Sequence, residues 1–180
     1  MKPRAGGGPL RRLVVLRHAK SAWPPDVDDH ERPLGPRGRR DAPAAGRALA
    51  ESDCLPDLAL CSTAVRARQT WRLASAQWAT PGPVRYDHGL YGAQVPDLLA
   101  AVHAVAPELR TLLLVGHNPG LQELVLALAG AGVGDTLDRV RVKFPTSAIA
   151  VLAFHASAWD AMRPGAAVLT EMLVPRGKKK

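Results

Sequence analysis

The 180-residue sequence contains little cysteine and no long apolar run. Its only cysteines are Cys54 and Cys61, a number that predicts no disulfide framework and favours a reducing compartment. No apolar stretch approaches the ~20 residues that a membrane-spanning helix needs. The basic N-terminus also lacks the apolar segment of a signal peptide. We therefore expect a cytoplasmic protein that has no membrane partner.

Spacings typical of metal sites are absent as well. Neither His-x-x-x-His nor Cys-x-x-Cys occurs anywhere in the chain. The sequence has no glycine-rich phosphate-binding loop either. We expect a site that uses no metal and no cofactor.

The formal charge of +8 lies entirely at the two ends of the chain. Residues 1–12 and 176–180 each hold four basic side chains and no acidic one, whereas residues 13–175 balance 16 basic against 16 acidic side chains. We predict a flexible basic tail over residues 1–12, a single domain over residues 13–175 and a basic C-terminal tail over residues 176–180. The neutral body argues against nucleic acid as a partner.

Two short apolar runs each lead into a histidine. Residues 13–16 (Leu-Val-Val-Leu) are followed by Arg17 and His18, and residues 112–115 (Leu-Leu-Leu-Val) are followed by a glycine and His117. Four-residue apolar runs bounded by glycine, proline and charge are typical of buried strands in a parallel sheet. Ligands bind at the carboxyl ends of such strands. We therefore expect both histidines to lie at one site.

A third apolar stretch, residues 57–60, leads into a hydroxyl pair and an arginine. Ser62 or Thr63 is expected to cap a helix, and Arg66 then falls in its first turn, where the helix dipole also attracts anions. The forked donors of arginine bind phosphate in a bidentate manner. Arg68 lies roughly 200° further around the helix and is expected to point elsewhere.

These residues predict phosphoryl chemistry on an imidazole. His18 is the candidate nucleophile, because neutral imidazole attacks well near neutral pH and the flanking Arg17 and Arg66 oppose its protonation. His117 is a candidate donor to a phosphoryl oxygen. The same arginines would repel a divalent cation. The other four histidines have no companion pattern and are expected to be surface or structural residues: His30, His88, His103 and His155.

Strands that alternate with helices predict an α/β fold, a three-layer α/β/α sandwich with a mostly parallel central sheet. The long loop over residues 19–36 is expected to be functional. Predicted strands cover residues 13–16, 58–60, 84–87, 111–115, 139–143, 147–154 and 167–174, and predicted helices cover residues 37–51, 63–77, 96–105 and 120–129.

The motifs resemble those of the histidine phosphatase superfamily, which has a phosphoglycerate-mutase-like fold. Arg17-His18 is similar to its first signature, Ser62-x-x-x-Arg66-Ala67-x-Gln69-Thr70 to its second arginine motif, and Gly116-His117 to its second histidine. The resemblance is closer still to the SixA-type phosphohistidine phosphatases, and it rests on Leu16-Arg17-His18-Ala19-Lys20-Ser21-Ala22-Trp23, Asp29-His30-Glu31-Arg32-Pro33-Leu34, Arg37-Gly38 and Gly116-His117-Asn118-Pro119.

The resemblance implies a phosphohistidine intermediate on His18, with Arg17, Arg66 and His117 holding the phosphoryl oxygens. Two further residues are implied to bind substrate. Ser21 matches a phosphate-contacting hydroxyl of the wider family, and Asn118 belongs to the SixA-type motif.

The wider family carries a glutamate or aspartate as proton donor ahead of a Tyr-Gly segment. The corresponding residues 86–92 hold no glutamate, which leaves Asp87 and His88 as candidate donors. An imidazole leaving group needs a donor much less than an alkoxide does. We therefore expect hydrolysis of phosphohistidine on a protein. Two alternatives stay open, a phosphatase of the same mechanism acting on a small phosphate ester and a non-catalytic phosphate-binding module.

Overall fold

The fold is built on one seven-stranded sheet, and the computed structural model describes residues 7–179. The strands are β1 (Leu10–Arg17), β2 (Leu58–Ser62), β3 (Val84–Asp87), β4 (Thr111–Gly116), β5 (Ala129–Gly132), β6 (Ile149–His155) and β7 (Ala167–Leu173). The helices are α1 (Pro36–Glu51), α2 (Val65–Ser75), α3 (Val95–His103), α4 (Gly120–Leu128) and α5 (Thr136–Val142), with short 3-10 turns at Asp29–Glu31, His88–Leu90 and Trp159–Ala161.

Helices cover both faces of this sheet, so its central strands are apolar on both sides. In β1, Leu13 and Val15 pack with α3, α4 and α5, whereas Val14 and Leu16 pack with α1 and α2. All four side chains are fully buried. The continuous apolar runs in the sequence follow from this burial on both faces.

The sheet is mixed, so the prediction of a mostly parallel sheet was wrong, although the α/β class was correct. The strand order is β3-β2-β4-β1-β6-β7-β5, and β6 runs antiparallel to both β1 and β7. The chain reaches β6 at the edge where β1 ends, with Leu16 paired to Ile149. It therefore has to run back along β1. An apolar run does not encode the direction in which a strand enters a sheet.

Three local features also differ from the predictions. Residues 139–143 alternate like a strand, but they lie mostly in α5, where Leu137 and Val140 pack on the core at helical spacing and Val142 stays exposed. The short strand β5 was not predicted, because its Ala-Gly sequence has no β-branched or aromatic residue. Helix α2 begins at Val65 after Ala64, without a side-chain cap from Ser62 or Thr63.

The body of the protein extends further at both ends than the sequence predicted. Strand β1 begins at Leu10, so residues 10–12 belong to the sheet rather than to a tail. Residues 1–6 and 180 lie outside the described residues. Arg176 and the Gly177 N–H both donate to the Asp41 carboxylate, which fixes the start of the C-terminal tail on α1. Across residues 7–179, no helix is long and apolar enough to cross a membrane.

Arg11 is a fully buried arginine at the end of the sheet remote from His18. Its Nε donates to the Ala156 carbonyl at 2.9 Å and its Nη1 to the Leu109 carbonyl at 2.7 Å. Its Nη2 donates to the carbonyls of Pro107 and Ser157. One guanidinium therefore satisfies four backbone acceptors from two loops and ties both to β1.

Replacing Arg11 should weaken the fold without touching the site. We expect Arg11→Met to lower the free energy of unfolding by about 3 kcal/mol, because it removes four hydrogen bonds to backbone carbonyls, one of which is fully buried. The neighbouring Arg12→Met is the control and should cost less than about 1 kcal/mol, since Arg12 is only partly buried. Urea denaturation measures both values. Equal losses in the two variants would contradict the assignment.

Candidate active site

The candidate active site lies where β1, β2 and β4 end. These three strands are parallel neighbours, so their carboxyl ends meet at one edge of the sheet. Arg17 ends β1 and is followed by His18, Ser62 ends β2, and His117 follows β4. The structure brings the two predicted histidines together, with their ring centroids 5.1 Å apart.

The ring of His18 is held in one tautomer. Its Nδ1 lies 2.7 Å from the Ala19 carbonyl oxygen. A carbonyl only accepts hydrogen bonds, so Nδ1 carries the proton and Nε2 keeps its lone pair. Burial, together with the charges of His117 and Arg66, lowers the pKa of His18 to about 3. The buried ring is therefore neutral, and its Nε2 is available to act as a nucleophile.

His117 is oriented by Ser62. Its Nε2 lies 2.7 Å from Ser62 Oγ, which also accepts a hydrogen bond from the Ala64 N–H at 3.2 Å. Burial, and next the charge of Arg66, lowers the pKa of His117 to about 4. This ring is therefore also neutral near neutral pH.

The two predicted arginines flank the histidines. Arg17 Nη1 donates to the Phe144 carbonyl at 3.0 Å. Arg66 is the second residue of α2, and its two terminal nitrogens donate to Asp29, one to the carbonyl and one to the carboxylate. In both side chains Nε is buried and has no hydrogen-bond partner within residues 7–179.

Unpaired buried polar atoms concentrate at this site. Within the described part of the chain, four buried polar atoms of this site have no hydrogen-bond partner: His117 Nδ1, Ser147 Oγ and the Nε atoms of Arg17 and Arg66. Buried polar groups in proteins are nearly always hydrogen-bonded. A cluster of unsatisfied donors beside two guanidinium groups is suited to a ligand rich in acceptor oxygens, and a phosphoryl group is such a ligand.

Ser147 supports the backbone of the Arg17-His18 pair, a role that the sequence did not predict. Its N–H lies 3.1 Å from the Arg17 carbonyl oxygen and 3.2 Å from that of His18. Its side chain is fully buried, and its φ of 64° is one that L-residues rarely adopt. A lone serine before a strand carries no sequence signal for this conformation.

Asp29 is a second site residue that the sequence did not single out. Its carboxylate accepts hydrogen bonds from the Tyr91 hydroxyl at 2.6 Å and from Arg66 Nη2 at 3.0 Å, and lies 3.4 Å from Arg32 Nη1. The hydrogen bond from Tyr91 and the pairing with Arg66 lower the pKa of Asp29. Asp29 is thus the counterion of the site arginines. Its position in the long loop over residues 19–36 was the available signal.

Ser21 and Asn118, predicted to bind substrate, are hydrogen-bonded to the protein. Ser21 Oγ accepts from Arg32 Nη2 at 2.6 Å. Asn118 Nδ2 donates at 2.9 Å to the Phe144 carbonyl, which also accepts from Arg17. Each side chain therefore orients a group of the site, and direct contact with substrate stays a prediction.

The two candidate proton donors lie in different surroundings. Asp87 Oδ1 accepts from the Gly89 N–H at 2.7 Å and caps a 3-10 turn. His88 Nδ1 lies 3.0 Å from Thr63 Oγ1, and His30 Nε2 lies 2.9 Å from the same oxygen. The expectation that His30 and His88 have no companions was therefore wrong, because they share one hydroxyl across segments far apart in sequence.

The remaining expectations concern residues outside the site. Arg68 is exposed and stacks over Tyr86, so it points elsewhere as predicted. The imidazoles of His103 and His155 lie next to the carbonyls of Met162 and Gly8. Within residues 7–179, no group of three or more histidine, cysteine, aspartate or glutamate side chains could hold a metal ion.

Comparisons with known proteins agree on one family. The family model for the histidine phosphatase superfamily (branch 1) matches residues 13–99. The uncharacterized protein Rv1276c of Mycobacterium tuberculosis is 43% identical over 163 residues, which cover 89% of this chain and all of that protein. The putative phosphohistidine phosphatase SixA from Nakamurella multipartitia is 34% identical, with a TM-score of 0.81 over 93% of this chain and 97% of its own. The putative SixA from Agrobacterium tumefaciens is 30% identical, with a TM-score of 0.75 over 92% and 99%.

The lowered pKa values of the two site histidines can be measured by NMR titration without phosphate. We expect the His18 and His117 rings to stay neutral at about pH 5, where an exposed imidazole with a pKa of ~6.5 is protonated, and His18 to carry its proton on Nδ1. The unfolded chain binds these protons below about pH 6.5 and the folded chain does not, so stability should fall as the pH is lowered through this range. A midpoint near 6.5 for His18 would contradict this.

Proposed function

The chain belongs to the histidine phosphatase superfamily, and from this premise we propose that it hydrolyses phosphohistidine on a protein through a covalent intermediate on His18. Phosphatase activity is supported by the family and by its SixA-like structural neighbours. The observation that carries the role of His18 is the hydrogen bond from Nδ1 to the Ala19 carbonyl. It leaves Nε2 of a buried, neutral ring as the attacking atom.

In the first step, the Nε2 lone pair of His18 attacks phosphorus. The bond from phosphorus to the leaving nitrogen breaks, and its electron pair stays on the departing imidazole, which takes up a proton. Arg17 and Arg66 are the cations that hold the phosphoryl oxygens as charge moves onto them. Their buried, unpaired Nε atoms support this role.

His117 acts as a neutral hydrogen-bond donor in this step. In this proposal the Ser62 hydroxyl, whose oxygen accepts from the Ala64 N–H, donates its own proton to His117 Nε2. The His117 proton then resides on Nδ1, the atom that has no partner within residues 7–179. A neutral donor of this kind stabilises developing charge without carrying a cation that must be desolvated.

In the second step, water attacks the phosphorus of phosphorylated His18. The bond from phosphorus to Nε2 breaks, the electron pair returns to the ring and inorganic phosphate leaves. The Nδ1 hydrogen bond persists through both steps, so the ring is in the correct tautomer for the next cycle.

The proposal of a protein-borne phosphohistidine substrate is supported by two structural neighbours that are at least 30% identical to this chain, both putative phosphohistidine phosphatases. A phosphatase of the same mechanism acting on small phosphate esters is the second candidate. The observation that favours it is the hydroxyl shared by His30 and His88, two groups able to carry a proton. A binding module without catalysis would have no use for the fixed tautomer of His18.

Covalent labelling tests the role of His18. Wild-type protein given a radiolabelled phosphoryl donor should acquire acid-labile, base-stable phosphate, and His18→Ala should acquire none and lose turnover. His155→Ala is the matched control, because His155 is an exposed histidine at the end of β6. Turnover near the wild-type rate in His18→Ala would remove the covalent mechanism.

Substrate class is tested with matched peptides. The kcat/KM for a phosphohistidine peptide should exceed that for the same peptide carrying phosphoserine, because imidazole is the better leaving group. The opposite order would assign the enzyme to phosphate esters and leave the labelling of His18 unaffected.

Metal independence is a further part of the proposal. We expect activity to survive EDTA and extensive dialysis unchanged, because the guanidinium groups of Arg17 and Arg66 repel a divalent cation. Turnover before and after chelation measures this. A loss that zinc or magnesium restores would contradict it.

A further inference from the structure

Four side chains form a continuous hydrogen-bonded chain at the mouth of the active site. Glu31 Oε1 lies 2.7 Å from His30 Nδ1, and His30 Nε2 lies 2.9 Å from Thr63 Oγ1. The same hydroxyl oxygen lies 3.0 Å from His88 Nδ1. The Glu31-His30-Thr63-His88 chain joins the long loop, the start of the β2–α2 connection and the end of β3.

With His30 neutral, the hydrogen bonds of this chain run in one direction. An ionised carboxylate accepts and does not donate, so His30 Nδ1 carries a proton toward Glu31. Neutral His30 then accepts at Nε2 from the Thr63 hydroxyl. Thr63 has given its only proton, and therefore its oxygen accepts from His88 Nδ1. This order leaves His88 Nε2 as the one nitrogen of the chain that makes no bond within it.

The chain lies beside the phosphoryl-binding groups. The Tyr91 ring is 5.6 Å from the His117 ring, 4.9 Å from the His30 ring and 5.9 Å from the His88 ring, measured between centroids. Thr63 directly follows Ser62, which binds His117. His88 is exposed to solvent.

We propose that His88 is the proton donor to the leaving group and that Thr63, His30 and Glu31 are its positioning residues. This inference rests on the proposed phosphatase function and extends its substrate class to phosphate monoesters of alcohols. An alkoxide is a poor leaving group and needs its proton in the transition state.

The proton and electron balance closes over one cycle. His18 Nε2 forms the bond to phosphorus while the ester oxygen departs with its electron pair and takes the proton of His88 Nε2, which gives the alcohol and neutral His88. In the second half, neutral His88 accepts a proton from the attacking water, and the electron pair of the broken phosphorus–nitrogen bond returns to His18. The products are the alcohol and inorganic phosphate.

Two titratable neighbours of His88, Asp87 and Tyr91, are less suited to donate a proton to the leaving group. Asp87, its neighbour on β3, is held by the Gly89 N–H. Tyr91 donates its hydroxyl proton to Asp29. Because the hydrogen bond to Asp29, and next burial, raises the pKa of Tyr91, it retains that proton more strongly than a free phenol does.

The test compares two esters of similar size, benzyl phosphate and para-nitrophenyl phosphate. The first releases an alkoxide that needs a proton, and the second releases a stable phenolate. We expect His88→Gln to lower kcat/KM for benzyl phosphate on the order of 100-fold and to change that for para-nitrophenyl phosphate little. Thr63→Val should also lower kcat/KM for benzyl phosphate selectively, by a smaller factor than His88→Gln does. Thr63→Ser keeps the hydroxyl and should therefore retain the activity of the wild type.

Two controls separate donation from structure. His155→Gln repeats the substitution at an exposed histidine outside the site and should leave kcat/KM unchanged for both esters. Asp87→Asn should also leave the ratio of the two kcat/KM values unchanged. Equal losses on both esters in His88→Gln, or a selective loss in Asp87→Asn instead, would overturn the assignment of His88.

The outcome for the wild-type enzyme distinguishes this inference from the proposed function. Hydrolysis of para-nitrophenyl phosphate and of a phosphohistidine peptide, with no hydrolysis of benzyl phosphate, would overturn the inference and leave the phosphatase mechanism standing. Absence of phosphate on His18 with every donor would overturn the proposed function itself.

Discussion

The chemistry of this site depends on one hydrogen bond, from His18 Nδ1 to the carbonyl of the next residue, Ala19. The arginines and the buried surroundings are useful only if the ring offers a lone pair at Nε2. A backbone carbonyl is a suitable partner because it has no proton to exchange and cannot invert the bond. The acceptor is also one residue away, so it moves with the ring that it orients.

The fold holds the backbone of Arg17 and His18 from both sides. On one side, β4 supplies the Gly116 carbonyl, which accepts the His18 N–H at 3.0 Å. On the other side, the turn into β6 supplies the Ser147 N–H to the carbonyls of Arg17 and His18. The antiparallel entry of β6 therefore has a functional role, since it places the turn at the end of β1. Ser147 adopts a backbone conformation that costs on the order of 1–3 kcal/mol, and the surrounding packing must sustain it.

The sequence predicted the parts of the site that follow directly from strand ends. His18, His117 and Arg66 could be identified because each comes shortly after an apolar run, and runs of this kind end at a common edge. The contacts of Asp29, and the hydroxyl that His30 and His88 share, could not. Apart from the short contact of Asp29 with Arg32, they join residues 25 to 62 positions apart across loops, where no periodicity constrains the chain. The sequence offers Asp87 and His88 as candidate donors in residues 86–92, but it does not show that His88 shares a threonine hydroxyl with His30.

The 3-10 turn over Asp29–Glu31 has a consequence for discrimination between phosphorylated molecules. It sets two carboxylates at the rim, Asp29 against Arg66 and Glu31 at the end of the histidine chain, with side chains about half or more exposed. A molecule with a second anionic group next to its phosphate would bring that group against them. Because like charges at short range cost affinity, we expect these carboxylates to weaken the binding of molecules that carry a second anionic group beside the phosphate.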